Sequence, residues 1–365
     1  MGAERPTVAV LFGGRSSEHG VSCVTAGGVL AAIDRAEWDV VAVGITPEGR
    51  WTIASAEASD WAIRDGEMPT VSTASHTVIP PRDASDPVWR VVGDDGSVRD
   101  LGAIDVVFPV LHGPWGEDGT VQGVLELVDV KFVGAGVLAS AVGMDKQFMR
   151  AAFREAGLPM TPAVVLHPGD DPQDRYEEIE ALGLPLFVKP ARAGSSMGIT
   201  RVDDPALLVA AIADAAKHDP KVLIERGVVG REIETAVLVT SDGPQASLPG
   251  EIVTGGDHDF YDFEAKYLDE GNVQLLCPAD LSDAVSDVVR AIALRAFRAV
   301  GAESLARVDC FVSDDGTVTV NEINTMPGFT PTSMYPRMWS ATGVDYPALV
   351  ATLLTTALER SVGLR

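Results

Sequence analysis

The first third of the chain carries three apolar runs, TVAVLFGG from Thr7, WDVVAVGIT from Trp38 and IDVVFPVLHG from Ile104, set apart by mixed segments. Runs that are apolar at successive positions, rather than at every second one, predict strands covered on both faces and therefore a parallel sheet. A helix is expected between the first two runs, over about residues 17–33, as the crossover that parallel pairing needs. Residues 54–100, rich in Ser, Asp and Pro, predict an irregular or weakly ordered excursion.

From Met144 the pattern changes. MDKQFMRAAFREAG has a helical spacing that stops at Gly157, with a proline at 159, and PLFVKPA, GITRV and VLIERGV then read as strands. A third section opens near Gly230 with the alternating REIETAVLV. It passes through a polar loop at 254–271, then a helix, the strands LARVDCFV and TVTVNEIN, and a C-terminal helix. The expected fold class is α/β, with an N-terminal parallel-sheet domain (1–134) and two α+β domains (135–229 and 230–365).

Composition narrows the function. A chain of 365 residues with 46% apolar and 22% charged positions has material for two or three buried cores. Its formal net charge of −25 works against binding nucleic acid or an anionic membrane by simple electrostatics, so neither is expected as a partner. An anionic ligand would need a locally basic pocket and metal ions. The three cysteines, Cys23, Cys277 and Cys310, have no metal-binding spacing and suit a reducing compartment. The N-terminal apolar run enters a glycine turn without a cleavage-site pattern, and no run reaches the roughly 20 apolar residues needed to span a bilayer. A soluble, cytoplasmic protein is expected.

Two patterns carry chemistry. In KPARAGSSMGIT, Lys189 to Thr200, small residues allow backbone amides to approach phosphate oxygens beside a lysine; the stretch lacks the Walker spacing, and a plain hairpin would look similar. In LARVDCFV, Arg307 and Asp309 share one face by the two-residue period, as do Glu322 and Asn324 in TVTVNEIN. Paired, these strands would gather an Asp, a Glu, an Asn amide and an arginine. Oxygen donors suit Mg²⁺ bridging phosphates, whereas a solvated face with a salt bridge is the plainer alternative. The turn LFGGRSSEHG is not a dinucleotide fingerprint, because GxGxxG is absent.

Taken in order, LFGGRSSEHGVS, LHGPWGEDGTVQG, MDK, VKPARAGSSMG, VLIERGVVGRE, YDFEAKY, RVDCF and NEINTMPGFTPTS make the chain resemble the D-alanine–D-alanine ligase family of the ATP-grasp superfamily over essentially its whole length. The resemblance implies an ATP-grasp fold, ATP as co-substrate, two Mg²⁺ per site with Mn²⁺ able to substitute, D-alanine as substrate, and a homodimer. It implies that Lys146, Lys189 and Ser196 contact phosphates and that Lys266 joins them from its loop. Glu225 with the backbone of Arg226 and Val228 would meet the adenine edge, and Glu232 the ribose. Asp309, Glu322 and Asn324 would hold the metals. Glu18 would fix the ammonium of the first D-alanine within a hydrogen-bonded set with Ser195 and Tyr267, near His112. Arg307 and the Gly328 N–H would stabilise a developing oxyanion. Ser333, with Met334 beside it, would bind the second carboxylate, a role compatible with a helix cap. Two departures stand out: Gly20, where the family usually has Glu, and Ala193, where it often has Glu.

Two rivals share parts of this pattern. A ligase forming D-alanine–D-lactate or D-alanine–D-serine would keep the ATP site, and Tyr267 in EAKY favours the dipeptide type. A regulator that binds nucleotide without chemistry would be expected to have lost some of Lys146, Lys189, Arg307 and the metal ligands, and this chain keeps them all.

Overall fold

The structure, a computed structural model, describes residues 5–194, 197–254 and 273–361. The first region is built from β1 (Thr7–Gly13), α1 (His19–Ala32), β2 (Asp39–Ile45), β3 (Trp51–Ile53), β4 (His76–Ile79), β5 (Val88–Gly93), β6 (Val98–Ala103), β7 (Val106–Pro109), α2 (Thr120–Leu127) and β8 (Lys131–Phe132). Its main sheet has the order β3-β2-β1-β7-β8. All pairs are parallel except the edge pair β2–β3. The uninterrupted apolar runs are explained by two cores, one on each face. Val8, Val10 and Phe12 enter one, while Ala9 and Leu11 enter the other.

The excursion corrects the sequence reading. Within 54–103 the chain forms a three-stranded antiparallel sheet, β4-β5-β6. Trp89 is fully buried there and stacks on Trp51 at 6.3 Å. The polar residues that suggested disorder belong to turns, such as the one at Gly96 (φ +82°) between β5 and β6. The earlier part of the excursion braces α1. Trp61 packs edge-on against Phe12 at 4.6 Å. The His19 Nδ1–H donates to Gly14 O (2.6 Å), so Nε2 accepts from the Val71 N–H (3.1 Å).

Next come α3 (Val137–Met144) and α4 (Lys146–Glu155), separated at Asp145. The helix expected from Met144 to Gly157 is α4, beginning two residues later at Lys146, and the Asp145 carboxylate caps it by accepting from Gln147 N (3.0 Å) and Phe148 N (3.4 Å). Strands β9 (Ala163–Leu166), β10 (Leu186–Pro190), β11 (Thr200–Val202) and β12 (Val222–Arg226), with α5 (Tyr176–Glu180) and α6 (Leu208–Ala215), form an antiparallel sheet ordered β11-β10-β12-β9.

The last region holds β13 (Arg231–Thr240), β14 (Gly243–Ala246), β15 (Gly250–Thr254), β16 (Val273–Leu276), α7 (Asp283–Ala299), β17 (Leu305–Val312), β18 (Val318–Asn324), α8 (Met334–Thr342) and α9 (Tyr346–Glu359). Its sheet runs β16-β15-β13-β17-β18, with β14 beside β13. The chain ends in two helices rather than one, because Gly343 takes a left-handed conformation (φ +103°) that stops α8, and Asp345 caps α9. Leu349, Val350, Leu353 and Leu354 of α9 pack into the same core as Val8 and Phe12, which joins the two ends of the chain.

Candidate active site

The phosphate loop joins β10 to β11, an antiparallel pair, as its flanking residues suggested. Lys189 leaves β10 beside Glu225 of β12, and its Nζ pairs with Glu225 Oε1. The other carboxylate oxygen is taken by Arg150 of α4 at 3.2 Å, so one buried acid holds two cations in place. Lys146, the first residue of α4, donates to Ala193 O in the phosphate loop (2.9 Å) and lies 3.8 Å from Glu322. The bond to Ala193 is to the main chain, so the departure at that position leaves it intact. Burial pulls the Lys146 pKa down from its ordinary value, and Glu322 opposes that. Where β12 ends, Arg226 N is tied to Pro162 O (3.1 Å) and Gly227 N to Pro185 O (2.8 Å), which fixes the stretch running on to Val228.

Across the cleft, three strands present one charged face. Register pairs Glu234 with Asp309, and Asp309 with Glu322, while Arg307 lies opposite Asn324. Arg307 makes a two-point bond to Asp309 (Nε and Nη2, 2.7 Å each) and its Nε lies 3.1 Å from Glu234. Burial works against the cation, but Asp309, Glu234 and Glu322 outweigh it and hold Arg307 firmly charged. Asn324 donates its Nδ2 to Asp309 Oδ2 at 3.0 Å.

The donor set fits a hard cation. Among the described residues no three His, Cys, Asp or Glu side chains converge as a finished metal cage. Asp309 and Glu322 nevertheless sit opposite each other, and the Asn324 amide can add its Oδ1. A partial cage of oxygen donors is what Mg²⁺ requires when substrate phosphates supply the remaining ligands.

The other end of the cleft is built from loops. Glu18 stands at the N-cap of α1, and its Oε2 lies 2.8 Å from where a Cβ on Gly113 would be, at a left-handed backbone position (φ +72°) that favours glycine. His112 is buried, and its Nδ1 donates to Met326 O (3.1 Å). Burial lowers the His112 pKa while Glu18 and the Met326 bond oppose this. Ser333 occupies the N-cap of α8 but makes no side-chain cap bond. Instead its Oγ accepts from Thr330 N (3.1 Å) and pairs with Thr330 Oγ1 (2.7 Å). The cap reading of Ser333 is therefore half right: the position is a cap, the capping bond is absent.

A single cleft of about 1090 Å³ is lined by Glu18, His112, Lys146, Lys189, Glu225, Arg226, Val228, Glu232, Arg307, Asp309, Glu322, Asn324, Gly328, Ser333 and Met334. Ser195, Ser196, Lys266 and Tyr267, with residues 255–271 of the polar loop, lie outside the described residues. The sequence reading missed Glu234, Arg150 and Glu117. Alternation along REIETAVLV could have placed Glu234 on the Arg307 face, whereas nothing local marks Arg150 or Glu117. Glu117 accepts from Gly113 N (2.7 Å), and burial together with the nearby Glu18 pushes its carboxyl up to about 8. Burial also pushes the thiols of Cys23 and Cys277 up, to about 12 and about 11, which leaves no thiolate for catalysis at neutral pH.

Two sheets facing each other across a charged cleft, one carrying a lysine and phosphate loop and the other an acidic strand pair, define an ATP-grasp fold. The family profiles described as D-ala D-ala ligase N-terminus and C-terminus match residues 7–135 and 152–355. The chain belongs to the D-alanine–D-alanine ligase family. It is 56% identical to the D-alanine–D-alanine ligase of Kineococcus radiotolerans over 99% of both chains. It is 52% identical to that of Mycobacterium ulcerans over 99% of this chain and 98% of the relative. Among solved structures, the D-alanine-D-alanine ligase from Coxiella burnetii superposes with TM-score 0.82 at 34% identity, covering 98% of this chain and 95% of that one. The VanG D-Ala:D-Ser ligase from Enterococcus faecalis gives TM-score 0.84 at 32% identity, covering 97% of this chain and 100% of that one.

Proposed function

We propose that this chain is an ATP-dependent ligase that joins two D-alanine molecules into D-alanyl-D-alanine for peptidoglycan synthesis. The observation that carries the reading is the cleft itself, which gathers every described residue expected at the site and sets each cation against a carboxylate. The first D-alanine carboxylate attacks the γ-phosphorus of ATP, ADP leaves, and an acylphosphate forms. The amine of the second D-alanine then attacks the acyl carbon, phosphate leaves, and the amine proton passes to solvent. Positioning and charge neutralisation supply most of the catalysis, since no covalent enzyme nucleophile is needed.

Lys146 and Lys189, with Ser196 and Lys266, neutralise the phosphates. Glu225, Arg226 and Val228 meet the adenine and Glu232 the ribose. Asp309, Glu322 and Asn324 would hold two Mg²⁺, for which Mn²⁺ would substitute, and metal bound there would supply charge neutralisation for the transferring phosphoryl group. Glu18, with Ser195 and Tyr267, binds the first ammonium. Arg307 and the Gly328 N–H stabilise the tetrahedral oxyanion, and Ser333 with the open first turn of α8 binds the second carboxylate.

The division at 134/135 and 229/230, a closing loop at 254–271, a cytoplasmic location and a homodimer belong to the same reading. Among the described residues no helix is long and apolar enough to cross a membrane. Exposed Leu127 and Leu138, on the neighbouring helices α2 and α3, give a dimer an apolar surface to bury. Likeness to the D-Ala:D-Ser ligase makes D-serine the competing second substrate, while the relatives at 52–56% identity favour D-alanine. The test is phosphate release with ATP, Mg²⁺ and a panel of D-alanine, L-alanine, D-serine and D-lactate. Release should require D-alanine and Mg²⁺, and equal rates with L-alanine would sink the assignment.

A further inference from the structure

The turn between α6 and β12, residues 216–221, touches both feet of the phosphate loop. On the outgoing side stands Asp219, 3% exposed, whose carboxylate accepts from four N–H groups, two on each oxygen. Its Oδ2 takes the main-chain N–H and the Nε of Arg192, at 2.9 Å each. Its Oδ1 takes Arg192 Nη2 (2.7 Å) and Lys221 N (3.0 Å). On the returning side the His218 ring packs against Gly198. A Cβ at Gly198 would lie 2.6 Å from His218 Cδ2, and its backbone is left-handed (φ +71°), so glycine is what lets the loop come back this close to the turn.

The turn is fixed in its own right. His218 N (3.0 Å) and Asp219 N (3.2 Å) both donate to Ala215 O at the end of α6, and Lys221 O accepts from Ala191 N (2.9 Å). Lys221 also reaches the helix that shares the loop: its buried Nζ pairs with Asp145, the cap of α4, and donates to Gln147 Oε1 at 3.1 Å. Lys146, the first residue of α4, bonds the loop twice, through N to Ala191 O and through Nζ to Ala193 O, at 2.9 Å each. Arg192 thus stands between two residues tied to Lys146, and its own N–H and guanidinium are both tied to Asp219.

We infer that Asp219 is a positioning residue for the triphosphate of ATP: by holding the main chain and the side chain of Arg192 together, it sets how the next two residues, Ala193 and Gly194, face the cleft they line. The inference rests on the ligase reading and adds to it a residue that touches no substrate. Without the carboxylate, the Arg192 side chain, half exposed already, turns to water, and its N–H loses its acceptor. The foot of the loop then has conformations that ATP must remove on binding, and that ordering weakens affinity. The loss falls on the phosphates. Adenine and ribose, assigned to Glu225–Val228 and Glu232, bind away from this foot.

The experiment compares KM for ATP with the inhibition constant of AMP, competitive against ATP, in the full-length enzyme with Mg²⁺ and D-alanine. AMP keeps adenine and ribose and lacks the β- and γ-phosphates. In Asp219→Ala, KM for ATP should rise roughly tenfold, the equivalent of ordering about one more residue. The AMP constant should stay within about twofold of wild type. Asp219→Asn keeps the shape and one acceptor oxygen, so its KM for ATP should fall between the two. Because Asp219 acts through Arg192, adding Arg192→Ala to Asp219→Ala should raise KM for ATP by no more than about twofold further.

An equal rise in both constants, or a rise in neither, would overturn the inference and leave Asp219 a brace of the central sheet. Independent, multiplying losses from Asp219→Ala and Arg192→Ala would also overturn it, since Asp219 would then act on something other than Arg192. If Asp219→Ala does not fold, Asp219→Asn decides alone: a raised KM for ATP beside an unchanged AMP constant supports the inference, and any other pattern removes it. Failure of the ligase reading looks different, since wild type itself would then show no turnover with ATP and D-alanine.

Discussion

The two ends of the cleft are built by different means. At the end proposed to take nucleotide and metal, Lys189, Glu225, Glu234, Arg307, Asp309, Glu322 and Asn324 stand on paired strands, and β-register decides which of them face one another. At the end proposed to take the amino acids, Glu18, His112, Glu117, Gly328 and Ser333 stand on helix starts and loops contributed by the first and last thirds of the chain. The strand-built end is held by many ladder bonds and dense charge pairing. The loop-built end is held by a few long-range contacts, such as His112 to Met326 and Val71 to His19. Function at the first end should therefore break when a charge is removed, and at the second when a contact is removed.

The largest effect is expected at Arg307. Arg307→Gln removes the cation from the reacting end and leaves Asp309 and Glu234, both 2% exposed, without their main partner. Turnover should drop by roughly a hundredfold to a thousandfold, as for loss of an oxyanion donor. Stability should fall by about 3 kcal/mol or more, because the buried acids lose their counter-charge. Denaturant unfolding and dipeptide assays check both. A variant with lowered turnover but unchanged stability would show that the acids are satisfied without Arg307, and the strand-built end would then be less charge-coupled than its geometry indicates.

Next in size is Glu322. Glu322→Gln keeps the shape and removes one anion beside Lys146, 3.8 Å away. Turnover should fall by roughly tenfold to a hundredfold, partly recovering at high Mg²⁺, while the melting temperature moves little. Near-wild-type turnover at low Mg²⁺ would remove Glu322 from the metal set and weaken the contrast between the two ends.

The difference in construction also explains what the sequence reveals. Period-two alternation in LARVDCFV and TVTVNEIN is enough to put Arg307, Asp309, Glu322 and Asn324 on one face, and pairing of the two strands then does the rest. Continuous apolar runs reveal the parallel sheet for the same local reason. The β4–β6 sheet was hidden because its strands are short and its turns polar, although the VWRVV and SVRDL pieces around Asp94-Asp95-Gly96 carry the hairpin signal in hindsight. Glu117 and Arg150 had no local signal at all. Arg150 meets Glu225, far along the chain, and Glu117 accepts from Gly113 N in its own loop, and no periodicity encodes either meeting. The start of α4 at Lys146 rather than Met144 belongs between these cases, since the Asp before the helical run is an N-cap signal that the start at Met144 passed over.

The smallest effect tests the loop-built end through a pair of glycines. Gly20 is the second residue of α1, and a Cβ there would lie 2.7 Å from Met68 Cβ and 2.8 Å from Met68 Sδ. The sulfur can swing away, but the Met68 Cβ moves only with its backbone. Met68 therefore occupies the place that the family's usual Glu side chain would need, which is a physical reason for the departure at Gly20. Gly123, within α2, has nothing within 4 Å of its would-be Cβ. In a helix, Gly→Ala alone gains up to about 1 kcal/mol, while forcing a methyl into a filled space costs about 1–3 kcal/mol. Gly123→Ala should thus raise stability by roughly 0.5–1 kcal/mol. Gly20→Ala should lower it by about 1 kcal/mol, a shift of a few degrees in melting temperature. In Gly20→Ala the KM for D-alanine should rise more than the KM for ATP, because Glu18 lies two residues away and the nucleotide end is held by other strands. Two stabilised variants, or equal changes in both KM values, would show that the contact of Met68 with α1 does not constrain the first-substrate site.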